Sequence, residues 1–170
     1  VRYAAWAEND VDRTELQNYV KRLETVMPDS LSKDDALAFW INLYNAVTVR
    51  LIVENYPVKS IKDLGGWFRT PWQKNLVIID GEKLTLNEIE HDIIRKRFTD
   101  SRIHFALNCA SIGCPPLSAR AFTGANLDQQ LQQITVSTLS KAEWFTLEEN
   151  RLLLTKIFDW YEDDFAKDVG

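Results

Sequence analysis

Histidine and cysteine are the side chains best placed to move protons or attack carbonyl carbons near neutral pH. This chain has two of each, with three of the four between His104 and Cys114. The run Arg102-Ile103-His104-Phe105-Ala106-Leu107-Asn108 reads with a period of two. Ile103, Phe105 and Leu107 fall on one face of a short core strand, with His104, Ala106 and Asn108 on the other. Cys109-Ala110-Ser111-Ile112-Gly113 then makes a strand-to-turn or strand-to-helix transition, which Cys114-Pro115-Pro116 stops. A thiol at the end of a core strand, beside turn amides at 110–113, could be presented as a nucleophile. With an ordinary pKa of about 8.5 it needs a base, a cation or a helix N-terminus to ionise at pH 7. A histidine, Arg102 or Arg95, and the turn amides are the candidates. In a strand, residues five apart face opposite sides, so His104 meets Cys109 only if the chain bends after Asn108. The alternative is that Cys109 is a small buried hydrophobe. Cys109 and Cys114 could also close a single bridge across Gly113, although two cysteines make no disulfide framework. Cys114, pinned before two prolines, is the weaker nucleophile.

The elements that would position these residues can be read along the chain. Residues 12–27 predict an amphipathic helix with Leu16, Val20, Leu23 and Met27 on one stripe, stopped by Pro28. Ser32 caps a second helix, running to about Glu54 before Tyr56-Pro57, that is apolar almost all round and so is the central buried helix. Asn42 and Asn45 are its anomaly, because buried amides three apart share a face and must find partners. They either tie down neighbouring backbone or line a site, one supplying an oxyanion-stabilising amide. Residues 58–75, with Gly65-Gly66, Trp67, Phe68 and Trp72, predict an aromatic loop that caps the core or rims a groove. Asp80-Gly81 between apolar runs predicts a two-residue hairpin. Thr85 then starts a third helix, with Glu88 completing a capping box. On that helix Glu88 and His91 are neighbours, so a carboxylate could orient the imidazole, with Glu90 adjoining it in sequence. Residues 126–139 predict another amphipathic helix, residues 143–155 a second hairpin, and the last segment a short helix with Ile157, Phe158, Trp160, Tyr161 and Phe165. Helices and antiparallel hairpins without a βαβ repeat give an α+β class: a central buried helix on a small antiparallel sheet, in a single domain over 1–170 with 1–29 as an N-terminal helical extension.

Composition narrows the function classes. With 45% hydrophobic and 26% charged residues the chain is that of an ordinary soluble domain, and no apolar run reaches a membrane span. A net charge of −5 argues against nucleic acid as a partner. Glu162-Asp163-Asp164 reads as a solvated acidic face. No signal peptide is visible, although a chain starting at Val1 leaves room for a removed leader. No cofactor motif is present, and His91, His104, Cys109 and Cys114 have spacings that match no usual zinc arrangement.

Several blocks together resemble one family: Phe39-Trp40-Ile41-Asn42-Leu43-Tyr44-Asn45-Ala46, Leu84-Thr85-Leu86-Asn87-Glu88-Ile89-Glu90-His91, Arg102 to Ser111 with Gly113-Cys114-Pro115-Pro116, and Ile157-Phe158-Asp159-Trp160-Tyr161 with Asp164-Phe165. In this order, over about residues 30–165, they resemble the domain of unknown function 547 family of bacteria and plants. The family has been regarded as similar to papain and transglutaminase-like thiol enzymes. The resemblance therefore implies Cys109 as nucleophile, His91 or His104 as base, and Glu88 or Glu90 as orienter. Histidine before cysteine reverses papain's order, so the arrangement would be permuted or convergent. Export signals in many bacterial members imply a periplasmic or envelope location, with the cytoplasm as the alternative. The expected activity is a thiol hydrolase or acyl transferase acting on a peptide or γ-glutamyl-type amide. Asn108, Ser111, Asn45, Asn42 and Trp67 would be the substrate or oxyanion contacts. The competing expectation is a non-catalytic peptide- or protein-binding module with a buried Cys/His pair. Oligomeric state is unread.

Overall fold

The computed structural model describes residues 1–66, 70–110 and 114–169, of Val169 the backbone alone. Two helices open it, α1 (Tyr3–Glu8) and α2 (Asp10–Leu23), hinged at Asn9, whose side-chain oxygen accepts from the Val11 and Asp12 amides and so caps α2. The long α3 (Lys33–Glu54) follows, capped by Ser32 through the Asp35 amide. Sixteen of its 22 residues are buried, as its all-round apolar sequence requires. By length and composition α3 is apolar enough to cross a membrane, contrary to the expectation that no such run exists. Here 89% of its most apolar window lies inside the fold. Leu16 and Val20 of α2 belong to the same core, so the N-terminal extension is part of the domain's packing.

Two one-turn helices (Ile61–Leu64 and Pro71–Gln73) lie in the expected aromatic loop. The hairpin of β1 (Asn75–Ile79) and β2 (Glu82–Thr85) turns at Asp80 and Gly81, both with left-handed backbone (φ 50° and 80°), and its buried Val77 and Ile79 face the core. Thr85 and Glu88 form the anticipated capping box: the Thr85 amide donates to Glu88 Oε2 at 2.8 Å and the Glu88 amide to Thr85 Oγ1 at 3.1 Å. Glu88–Ile94 is then wound as a π-helix before the short α4 (Arg95–Arg97), the Arg95 amide reaching back five residues to the Glu90 carbonyl.

The expected strand at 102–108 is instead one helical turn, α5 (Ile103–Ala106). Ile103, His104, Phe105, Ala106 and Leu107 are all buried, so the segment has no polar face for a period of two to report. After it come α6 (Leu127–Leu139), a second hairpin of β3 (Phe145–Glu148) and β4 (Arg151–Leu154), and two C-terminal helices, α7 (Ile157–Trp160) and α8 (Glu162–Val169). The class is α+β. The strands form two separate two-stranded sheets, and only the first contributes to the main core. A second apolar cluster of Phe105, Trp144 and Ile157 joins α5 to the C-terminal helices.

Candidate functional site

The C-terminal helices close a polar network over α5 and the π-helix. His104 is 4% exposed, and its Nε2 lies 2.9 Å from Asp164 Oδ2. Because the carboxylate accepts, Nε2 carries the proton. Arg95 Nε donates to the same oxygen at 2.5 Å, and Lys167 Nζ lies 3.5 Å from Oδ1. The ring of Tyr161 stacks on His104 with centroids 3.6 Å apart, and its hydroxyl donates to the buried Glu90 carboxylate at 2.6 Å. Arg95 lies over the same ring, 5.0 Å from its centroid, with Nη1 3.0 Å from His91 Nδ1. The hydroxyl of Tyr44 on α3 is buried facing Glu90 without closing a hydrogen bond.

The electrostatics follow from burial and pairing. Burial pushes the His104 imidazole below its usual range, only partly opposed by Asp164, so it is neutral near pH 7. For Asp164, burial pushes upward, but the hydrogen bonds and charges of Arg95 and His104 together outweigh it and bring the carboxyl down to about 2. The Tyr161 hydroxyl is raised by burial and by the negative charge of Glu90.

The anticipated thiol is absent from this arrangement, because Cys109 and Cys114 are joined as a disulfide. Of the two cations considered for activating it, Arg102 is held by Asp100 and Asp128 and Arg95 by Asp164. The proposed Glu88–His91 pair is not made either: Glu88 is spent on the Thr85 cap, and His91 faces Arg95. Asn45 grips backbone with both ends of its amide, Nδ2 donating to the Ala106 carbonyl at 2.9 Å and Oδ1 accepting from the Asn108 amide at 2.8 Å. Asn42 holds Phe122 in the same way, at 2.8 and 2.9 Å. Asn108 turns the chain onward, accepting from the Ala110 amide at 3.0 Å and donating to the Pro115 carbonyl at 2.7 Å. The Ala110 amide is therefore paired, while Ser111 and Trp67 lie outside the described residues. Among those residues no cluster of three or more His, Cys, Asp or Glu is placed to hold a metal.

Asp164 and Tyr161 are the members that sequence reasoning missed. Asp164 was expected on a solvated acidic face, but its side chain is 13% exposed. Asp164 lies three residues after Tyr161, in the first turn of α8, which also buries part of Phe165, and that spacing is the signal that could have found it.

A second feature lies on the other side of α3. The segment Cys114–Phe122, pinned at one end by the disulfide and at the other by Asn42, walls a groove against α1 and α2. It holds an apolar cavity of about 240 Å³, open to solvent, between Trp6, Leu16, Tyr19, Val49, Leu117 and Phe122. The wall residues Leu117–Ala121 continue into a trough over Gln129, Gln130 and Gln133 of α6, and Trp6 into a hollow beside Asp12 and Glu15. A further hollow, at Arg2, Tyr3 and Cys114, shares Trp6 and Leu117–Ala119 with the cavity.

The model of one family, a protein of unknown function designated DUF547, matches residues 28–137. No curated protein and no solved structure matches the chain.

Proposed function

The chain belongs to the DUF547 family, whose description names no activity, and from that premise we propose that it is a peptide- or protein-binding module held in a disulfide-closed form. The observation that carries this reading is the groove: an apolar cavity that shares its Leu117–Ala121 wall with one hollow and its Trp6, Leu16 and Tyr19 wall with another gives an extended ligand a surface beyond the cavity itself. The state of the thiol-enzyme candidates supports it, since Cys109 is bridged, His104 is enclosed between Asp164 and Tyr161, and Glu88 is a helix cap. A persistent disulfide belongs to an oxidising compartment, which supports a periplasmic or envelope location over the cytoplasm.

One observation favours a second reading. Ala110, next to Cys109, has left-handed backbone (φ 56°), and among the described non-glycine residues the other two with positive φ sit in hairpin turns. Left-handed backbone at an alanine is a strained state that clusters at functional positions. A reduced Cys109 on this turn would be the nucleophile of a permuted thiol hydrolase or acyl transferase for peptide or γ-glutamyl amides, with the His104–Asp164 pair nearest to a base and its orienter.

Iodoacetamide labelling of folded protein from pH 5 to 9, read by peptide mass spectrometry before and after reduction, separates the two. The binding module takes no label at Cys109 or Cys114 until reduced, then labels as ordinary thiols with a midpoint near the usual pKa of about 8.5. Rapid labelling of reduced Cys109 well below pH 7, slowed by His91→Ala or His104→Ala in a variant that still melts cooperatively, would overturn it in favour of the enzyme.

A further inference from the structure

The groove carries its own specificity signals. Arg120, at the lip of the cavity, is exposed and has no carboxylate partner within ion-pair distance among the described residues. Arg2, lining the adjoining hollow, has none either. In a chain of net charge −5, Arg120 and Arg2 line hollows that hold no acidic side chain among the described residues, whereas Arg22, also without an ion-pair partner, lies in the hollow with Asp12 and Glu15. A guanidinium is a fork-shaped donor that matches a carboxylate.

The wall offers a second kind of contact. Among the described residues the backbone N–H and C=O groups of Leu117, Ser118 and Ala119 have no intramolecular partner, whereas the Pro115 carbonyl is held by Asn108, both backbone groups of Arg120 by the Ser118 hydroxyl, and the Ala121 carbonyl by Gln130. Such groups bind an extended chain by main-chain hydrogen bonds, with side-chain pockets supplying selectivity. The cavity beside them, about 240 Å³ and lined by Trp6, Tyr19 and Phe122, has room for one large aliphatic or aromatic side chain.

Resting on the binding-module reading, we propose that the groove takes an extended peptide with a single large apolar side chain in the Trp6–Phe122 cavity and a carboxylate within a few residues of it, held by Arg120 and Arg2. Apolar burial supplies the affinity, and the arginines set the preference for an acidic neighbour in a molecule whose overall charge repels acidic ligands.

The test uses fluorescein-labelled octapeptides in a Gly/Ser background, each with a Leu, Phe or Trp anchor followed one to three residues later by Glu, Gln or Lys, with free and amidated C-termini. Binding to the oxidised chain is read by anisotropy and by amide shifts of Leu117 and Ala119. The expected order is Glu over Gln over Lys. Arg120→Glu, at an exposed position, inverts that order with each preference changing about 3- to 10-fold. Ala121→Trp, also exposed and lining the cavity, abolishes binding while the melting temperature holds. Tighter binding of free over amidated termini in peptides that lack Glu assigns the carboxylate to the chain end, and no difference assigns it to the side chain. If anchored peptides bind in the groove with no preference among Glu, Gln and Lys, the carboxylate assignment fails and the binding module stands. If no peptide moves the Leu117 and Ala119 amides, both fail.

Discussion

At the residue scale the molecule turns on Asp164, one carboxylate satisfying three cations or donors from three separate segments. Its carboxyl, free at about 3.8 in an unfolded chain, sits at about 2 when folded. A depressed acid contributes stability that is present above its unfolded pKa and is lost as pH falls through the folded one. Here that is about 2 kcal/mol, withdrawn between roughly pH 4 and pH 2. His104 acts in the same direction. Its folded pKa lies below the unfolded 6.5, so the unfolded chain takes up the proton first and stability declines as pH drops below about 6.5. Urea unfolding followed from pH 8 to pH 2 should therefore show a flat top and an acid fall in two stages. Asp164→Asn should lower stability at pH 7 by about 2 kcal/mol and flatten the lower stage, since Arg95 and the His104 N–H lose their charged acceptor. A variant that kept the full acid slope would show that other carboxylates carry it. None of this was legible in Glu162-Asp163-Asp164, because the sequence shows three acids in a row, while the partners that single one out lie 60 and 69 positions away.

At the scale of elements, legibility followed how one-sided each pattern was. The α3 helix announced itself by an apolar run too long for a strand, and the first hairpin by Asp80-Gly81, whose left-handed turn few other pairs accept. The α5 segment did not, since four to five wholly buried residues satisfy either period and only their neighbours decide. The π-winding of Glu88–Ile94 was invisible for a related reason. It changes which amide meets which carbonyl without changing composition, the Arg95 amide bonding to the Glu90 carbonyl five residues back. Asn42 and Asn45 were legible as buried amides but not in their targets, which lie 61 to 80 residues away. Asn45→Leu keeps the volume but strands the Ala106 carbonyl and the Asn108 amide. It should cost about 2–4 kcal/mol in the urea midpoint and speed hydrogen exchange at Asn108, whereas loss of less than 1 kcal/mol would mean water replaces the amide. Gly124 marks another junction: a Cβ there would lie 2.0 Å from Asp35 Oδ1 and 2.8 Å from the Asp35 amide nitrogen, at the capped start of α3. Gly124→Ala should therefore destabilise by about 1–3 kcal/mol, and an unchanged thermal melt would show that the one-turn helix at Gly124–Asn126 can move away.

At the scale of the whole molecule, the Cys109–Cys114 bridge and the Asn108–Pro115 hydrogen bond join two systems. Upstream, Asn108 is fixed by Asn45, and α5 is fixed by the His104–Asp164 network. Downstream, Pro115 to Phe122 is the wall of the groove. The bridge closes a loop of only six residues, so chain entropy assigns it about 2 kcal/mol, which for a domain of this length is roughly 4–8 °C of melting temperature. Differential scanning calorimetry with and without reductant, and on the Cys109→Ser/Cys114→Ser double variant, should show that loss in both, with the variant insensitive to reductant. The loss should be local in exchange terms: Leu117, Ser118 and Ala119 gain exchange rate on reduction, while the core amides of α3 keep theirs, because α3 is buried by packing the bridge does not touch. Equal melting temperatures in oxidised and reduced protein would mean that the wall is held by Asn42, Asn108 and Gln130 alone. The groove would then be as well formed in a reducing compartment as in an oxidising one, removing the physical reason to place the chain in the envelope.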